Sequence, residues 1–301
     1  MHMPARQRAL EELPQELDPR ASVGDVVVLS TVAFAAMSTT SALAAAVGLS
    51  SVVALSLSIA MSPFVLIAFA SKAVQKSARV QIDVSQAVAE RRLDDARRAL
   101  HQPGRLARLT LSARVQLIYA QACLAAGEGR WTDALRLYRG LQSGTIVERW
   151  KKQFLPAWVG ITTAHCAAAT FADELEEAQS LLDELRQLGD PGMRSRQAAI
   201  EIPLAVRLGR VDHALSILEN ERRAIDYATS RAGFLELAFL IEFGLRDRSG
   251  AYRSREQIDP GGVSAAAHRG DFDYLCTEWP ELGEYLGHRR QLGREAVENL
   301  A

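Results

Sequence analysis

The segment Gly129-Arg-Trp-Thr-Asp-Ala134-Leu-Arg-Leu-Tyr138 decides the fold, because its pattern occurs four times along the chain. In every copy an apolar residue stands three positions before a central alanine, and another stands four positions after it. Those spacings place the three residues on one face of a helix. The other copies are Arg92–Leu100, Glu174–Leu182 and Arg210–Leu218.

The shared face predicts how each copy packs against the helix before it. A small side chain at the centre lets the preceding helix cross closely, and the flanking apolar residues close the contact. Acidic residues fill most of the positions just before the alanine, where they suit the positive end of a helix. The predicted repeat core consists of Ala96, Leu100, Trp131, Ala134, Tyr138, Ala178, Leu182, Ala214 and Leu218.

An apolar helical stretch precedes each copy, so that helix, turn and helix recur along the chain. The central alanines repeat at intervals of 36 to 44 residues, and periods in this range are typical of helical solenoids. We therefore predict an all-α fold in which helix pairs stack into a solenoid with an extended groove. The predicted first helices of the pairs are 80–88, 113–125, 155–169 and 198–208.

The segment 129–138 resembles the second helix of the tetratricopeptide repeat family, with Ala134 and Tyr138 at the family's small and aromatic positions. Segment 209–218 is similar, with a leucine in place of the aromatic residue. The spacing exceeds the ~34 residues usual in the family, and the family's first-helix Trp-Leu-Gly-Tyr pattern is absent from this chain. The resemblance covers about residues 77–225. It implies a right-handed α-solenoid whose concave groove binds a peptide or a helix of a protein partner.

Two sets of basic residues are candidate partner contacts. In register with the resemblance, Arg196 and Arg207 face the groove of the fourth helix pair, where arginines can clamp a carboxylate. The alternative for both is a solvated surface position. Trp150, Lys151 and Lys152 combine aromatic and basic character, which suits anionic headgroups or a partner surface. The alternative for this set is a helix start with a buried aromatic residue.

The other decisive feature of the sequence is a long run of residues without charged side chains. No Asp, Glu, Lys or Arg occurs between Asp25 and Lys72, which leaves 46 uncharged residues. As one helix this run would reach roughly 69 Å, more than twice the ~30 Å hydrocarbon core of a bilayer. A transmembrane hairpin is therefore predicted, with spans at 26–47 and 51–70 and with Gly48 in the turn.

The charges that flank the run predict its orientation. Lys72, Lys76 and Arg79 follow the second span directly, while the turn at the far end is uncharged. By the positive-inside rule, both termini and the repeats are expected in the cytoplasm, at a bacterial-type inner membrane. The lipid bilayer is accordingly a predicted partner of the chain.

Small and hydroxylated residues are frequent in the first span. Such a face lets helix backbones approach closely, so this span is expected to pack against protein. Its partner is either the second span or another copy of the chain, and the residues do not distinguish the two. Pro63 is expected to kink the second span. The predicted packing face is Ala35, Ser38, Thr39, Ala42 and Ala46.

Composition and motifs argue against several classes of function. The chain has 35 basic and 36 acidic residues, a balance that disfavours nucleic acid as a partner. His165 and Cys166 are adjacent, and neighbours on a helix point about 100° apart, which disfavours a nucleophile and base pair. His268, Asp271 and Asp273 match no metal-site spacing, so a polar loop is favoured there. No enzyme activity, metal or other cofactor is expected.

These observations divide the chain into a polar tail at 1–24, the transmembrane hairpin at 25–71, a repeat domain at 72–258 and C-terminal capping helices at 259–301. A degraded fifth unit is expected near 234–256. The leading functional hypothesis is a membrane-anchored adaptor or scaffold that presents its repeats to a protein partner at the cytoplasmic face. The alternative is a homo-oligomeric structural subunit of a ring, coat or pore, assembled through the hairpin.

Overall fold

The computed structural model describes residues 51–101, 111–142, 155–188, 194–223, 225, 231–245 and 260–298. These residues form eleven α-helices and one 3-10 helix, and they contain no strand, which confirms the predicted all-α class for this part of the chain. The helices are α1 (Ser51–Ala89), α2 (Leu93–His101), α3 (Leu111–Gly127), α4 (Trp131–Gln142), α5 (Leu155–Phe171), α6 (Leu175–Gln187), α7 (Arg194–Arg207), α8 (Val211–Asn220), α9 (Arg231–Leu245), α10 (Pro260–Arg269) and α11 (Pro280–Glu298), with the 3-10 helix at Asp273–Cys276.

Helix α1 is a single element of 39 residues. It covers the predicted second span and continues without a break into the predicted first helix of the repeats, so that the expected boundary at 71/72 lies inside it. Residues 71–79 contain neither glycine nor proline, and nothing in their backbone preferences ends a helix. The positive charges after residue 70 therefore do not coincide with a helix end.

Within the described residues, no helix combines the length and the hydropathy needed to span a bilayer. The first span at 26–47, its packing face and the turn at Gly48 lie outside the described residues, and so do the side chains of 51–67. The hairpin, including the kink at Pro63, stays a prediction.

The chain divides into two compact bodies, residues 1–124 with 140–143, and residues 125–139 with 144–301. In the first body, α1 contributes a buried stripe that recurs every three to four residues. It meets α2 and α3 in one apolar cluster, made of Val80, Val84, Ala87, Ala96, Leu117, Ala120 and Leu124. In the second body, Trp131 of α4, Phe171 of α5 and apolar residues of α7 to α11 share one larger core.

The same turn joins the helices of each pair. After α1, α3, α5 and α7 the chain passes through one residue with positive φ: turn 1 at Arg91, turn 2 at Gly129, turn 3 at Asp173 and turn 4 at Gly209. At turn 2 the N–H of Gly129 donates to Ala126 O at 3.0 Å, and the next N–H donates to Ala125 O at 2.9 Å. This pair of hydrogen bonds is the Schellman motif that closes a helix. The central alanine always lies five residues after the left-handed residue.

Burial supports the shared face of the second helices. The four central alanines are fully buried, and all but one of the other predicted core residues are buried as well. The exception is Leu100, which is partly buried against the cluster of the first body. The order in which the helix pairs stack along a solenoid stays a prediction.

The C-terminal helices belong to the core of the second body rather than covering only its last helix pair. Trp279 is 4% exposed and packs on Phe243 of α9, with ring centroids 5.3 Å apart. It also contacts Phe171 at the end of α5, at 6.2 Å. Trp131 at the start of α4 stacks on the same Phe171 at 4.5 Å. Aromatic rings from the C-terminal segment thus lie against turns that are far away in sequence.

Turn 2 makes a second contact with this segment. The Thr132 N–H donates to Glu278 Oε2 at 2.9 Å, and the Thr132 hydroxyl donates to the same oxygen at 2.8 Å. A Cβ at Gly129 would collide with the carbonyl oxygen of Tyr274 and with the Thr277 hydroxyl. The C-terminal segment therefore approaches the backbone of turn 2 as closely as glycine allows.

Candidate partner-binding site

Turns 3 and 4 share a contact between a histidine and a glutamate, but the two residues exchange positions between the turns. Position eight before the left-handed residue holds His165 at turn 3 and Glu201 at turn 4. Position four after it holds Glu177 at turn 3 and His213 at turn 4. In both cases the imidazole Nε2 lies 3.0 Å from a carboxylate oxygen. A histidine–glutamate contact thus ties the two helices of each pair together.

An arginine from the preceding pair completes each contact. Arg139, in the last turn of α4, lies 2.5 Å from Glu177. Arg186, in the last turn of α6, lies 2.5 Å from Glu201. Charge-assisted hydrogen bonds of this length are stronger than neutral ones. Each triad therefore links one helix pair to the next.

The histidine of the turn 3 triad is closed to solvent. The His165 side chain is only 3% exposed, and its ring stacks beside Tyr138 with centroids 6.1 Å apart. Burial alone raises the pKa of Glu177, but its contacts with His165 and with the Arg139 guanidinium outweigh burial and lower that pKa to about 2. This triad is a structural link.

The turn 4 triad borders open space instead. His213 is 54% exposed, while the Glu201 carboxylate that it contacts is 10% exposed. The triad edges a cavity of about 60 Å³ between α6, α7 and α8. The cavity has a polar rim and an apolar floor, and it is lined by Gln179, Leu182, Arg186, Glu201, Leu204, Ala205, Leu208, Arg210 and His213.

Arg196 and Arg207, which were predicted for partner binding, do not line this cavity. Arg207 is 10% exposed and donates from Nε to Asp173 Oδ1 at 3.1 Å. Its guanidinium carbon lies 4.1 Å above the Trp279 ring, so this side chain is engaged within the second body. Arg196 is exposed on α7 and does not line the cavity. The set Trp150, Lys151 and Lys152 lies outside the described residues.

The groups weighed for chemistry are also engaged. Burial raises the pKa of Cys166 to about 12, and its thiol donates to Ala178 O at 3.2 Å, so the thiolate needed for nucleophilic attack is not populated at neutral pH. His268 contacts Ser264 O at 2.9 Å, while Asp271 and Asp273 pair with Arg269 and Arg290. Among the described residues, no group of three or more potential ligands is arranged to hold a metal ion.

Sequence reasoning missed the polar residues that line the cavity, although one signal for them was present. Once the four turns are aligned, the exchange of histidine and glutamate between equivalent positions of turns 3 and 4 is visible in the sequence. The contribution of Arg186 is not visible, because it comes from the preceding helix pair and depends on packing.

Comparison with protein-family models, with curated proteins and with solved structures found no match to this chain. The resemblance to tetratricopeptide repeats therefore rests on the residues quoted above.

Proposed function

We propose that the chain is a membrane-anchored adaptor or scaffold. Its N-terminal hairpin holds it in the inner membrane, and its tetratricopeptide-like helical repeats bind a protein partner at the cytoplasmic face. Both termini lie in the cytoplasm, and neither a cofactor nor a nucleic acid takes part.

The observation that carries this proposal is the continuity of α1, whose 39 residues begin within the uncharged run and end in the core of the first body. The predicted second span occupies the first half of α1 and measures about 30 Å, which equals the thickness of the hydrocarbon core. The second half extends about 28 Å further. The anchor and the first helix pair would then share one continuous helix, which suits a scaffold whose repeats are joined directly to its membrane anchor.

The size of the turn 4 cavity supports a protein partner rather than a small molecule. Pockets for small molecules usually measure about 300–1,000 Å³. The cavity at turn 4 measures about 60 Å³, which is room for a few waters or one side-chain head group. A site of this size suits one anchoring residue of a larger surface.

Two fractionation experiments test the anchor. The full-length chain is expected to stay in the membrane pellet after an alkaline carbonate wash, and release into the supernatant would overturn the hairpin. Protease added to sealed inside-out vesicles is expected to digest the repeats, because their cytoplasmic face is then exposed. Digestion only in right-side-out vesicles would reverse the proposed topology.

One observation favours the alternative of a homo-oligomer. Ile82 on α1 is 61% exposed, and it lies about 18 Å along the helix beyond the end of the predicted span at Ala70. The headgroup layer is only about 5–8 Å deep on each side, so lipid does not cover this side chain if the helix is upright. A protein surface, including another copy of the chain, would cover it.

The mass of the purified chain in mild detergent decides between the two candidates. A homo-oligomer that is assembled through the hairpin and also packs along α1 as far as Ile82 is expected to dissociate when Ile82 is replaced by aspartate, while the matched exposed substitution Gln75→Asp leaves it intact. A wild-type chain that is already monomeric would exclude the homo-oligomer.

A further inference from the structure

The arginine that follows the left-handed residue is neutralised in the same way at turns 1 and 2. At turn 1, Arg92 donates to Glu90 at 2.8 Å and to Asp95 at 2.7 Å. At turn 2, Arg130 donates to Glu128 at 2.9 Å and to Asp133 at 2.6 Å. The two acidic partners occupy equivalent positions, one just before the left-handed residue and one four residues after it. The arrangement is therefore a repeated device in which two carboxylates hold one guanidinium.

Turn 4 keeps the arginine and replaces both of its partners. Arg210 follows Gly209, but the two acidic positions hold Leu208 and His213. In the part of the chain that the structure describes, the Arg210 side chain forms no hydrogen bond or ion pair, and it is exposed at the rim of the turn 4 cavity. The substitutions thus leave a guanidinium without the carboxylates that its counterparts have.

The two arginines that line the cavity differ in their partners. Arg186 is paired with two carboxylates, Glu201 at 2.5 Å and Asp183 at 3.0 Å, whereas Arg210 is paired with neither of them. Glu201 is already engaged by Arg186 at 2.5 Å and by His213 at 3.0 Å. It therefore does not neutralise Arg210.

We propose that the turn 4 cavity binds the side-chain carboxylate of an aspartate or glutamate on the protein partner, with Arg210 as its main contact. The exposed imidazole of His213 offers a further hydrogen bond at the rim through Nδ1, since its Nε2 contacts Glu201. The floor of Leu182, Leu204 and Leu208 takes the aliphatic part of the same residue or of its neighbour. This proposal rests on the proposed function, since it names the chemistry by which the repeats recognise their partner.

A selection experiment tests the proposal with the full-length chain, immobilised in mild detergent and offered a random peptide library with amidated C-termini. Amidation removes the terminal carboxylate, so that only acidic side chains can fill the cavity. The selected peptides are expected to be enriched in aspartate and glutamate beside aliphatic residues. Loss of one charge-assisted contact is expected to weaken their binding about tenfold or more in Arg210→Ala.

A second variant removes the site and keeps the arginine. Leu208→Glu restores the acidic partner that turns 1 and 2 possess, so Arg210 is expected to pair within the chain and peptide binding is expected to fall as in Arg210→Ala. The matched control Arg223→Ala removes an exposed arginine outside the cavity and is expected to bind as the wild type does. Unchanged thermal unfolding of all three variants shows that the loss is not due to misfolding.

The outcomes distinguish a failure of the carboxylate site from a failure of the adaptor function. If wild type selects peptides that are not acidic, or if Arg210→Ala and Leu208→Glu bind as well as wild type, the carboxylate site is wrong while the adaptor function stands. If wild type selects no peptide at all, the adaptor function is overturned and the carboxylate site falls with it.

Discussion

Two features of the structure require glycine at position 129, a left-handed backbone and a close approach of other atoms. Only the first of them applies at Gly209. Both residues have positive φ, of 77° and 71°. A Cβ at Gly129 would also collide with the backbone of Tyr274, whereas a Cβ at Gly209 would meet nothing within 4 Å. The two positions therefore separate the cost of a left-handed backbone from the cost of a collision.

Gly209→Ala is expected to lower the free energy of unfolding by about 1 kcal/mol, because only the left-handed conformation is penalised. Gly129→Ala is expected to lower it by roughly 3 kcal/mol or more, since the C-terminal segment must also move. Denaturant unfolding of both variants measures the difference. Equal losses would show that the C-terminal segment does not approach turn 2 closely.

Glu177 gives a prediction for the pH dependence of stability. Its pKa in the folded chain, about 2, lies below the ordinary value for glutamate. The ionised carboxylate therefore stabilises the fold at neutral pH, and this contribution is lost as the pH falls from about 5 toward the folded pKa. Glu177→Gln is expected to cost on the order of 2 kcal/mol at pH 7 and progressively less in acid.

Glu176→Gln is the matched control for that measurement, because Glu176 is the exposed neighbour on the same helix. Thermal unfolding of both variants and of the wild type, measured from neutral pH down through about pH 5 toward the folded pKa of Glu177, tests this pH dependence. A difference between Glu177→Gln and the wild type that does not change with pH would contradict the triad as the source of the effect.

At the scale of elements, α1 is one continuous helix across the boundary that was predicted between the second span and the repeats. Its buried residues Ala73, Val80 and Val84 lie on one face of a helix that begins within the uncharged run. Charge marks where a chain leaves the bilayer, but it does not mark where a helix ends. The second helices were predictable, because the spacing around Ala96, Ala134 and the other central alanines is local to each helix.

Gln75→Pro tests the continuity of α1. Gln75 is exposed, so a proline there disturbs the backbone of the helix rather than the core. It is expected to lower the free energy of unfolding by about 3 kcal/mol, while Gln75→Ala is expected to change it little. If Gln75→Pro is tolerated as well as Gln75→Ala, the chain has a break between the predicted span and the repeats.

At the scale of the whole molecule, the C-terminal region is part of the second body. Trp279 contacts Phe171, which is 108 residues earlier in the chain, as well as Arg207 and Phe243. No local pattern in the sequence encodes such a contact, and only a short capping role was predicted for this region. The turn 4 cavity escaped prediction for the same reason, since Arg186, Glu201 and Arg210 come from different helices.

Trp279→Ala is expected to destabilise the chain by roughly 3–5 kcal/mol, as is usual when a buried aromatic residue is truncated. Trp279→Phe keeps part of the ring contacts and is expected to cost less. The midpoint of thermal unfolding measures both. A loss below about 1 kcal/mol for Trp279→Ala would mean that the C-terminal region is only a loosely attached cover.

The central claim is that the repeats hold a protein partner at the membrane through turn 4. The most direct measurement is the recovery of proteins with the full-length chain from detergent-solubilised membranes, quantified by mass spectrometry for wild type, Leu208→Glu and Arg223→Ala. We predict one partner in a fixed ratio to the wild type and to Arg223→Ala, and its depletion from Leu208→Glu by about tenfold. Recovery of the chain alone from wild-type membranes would contradict the account.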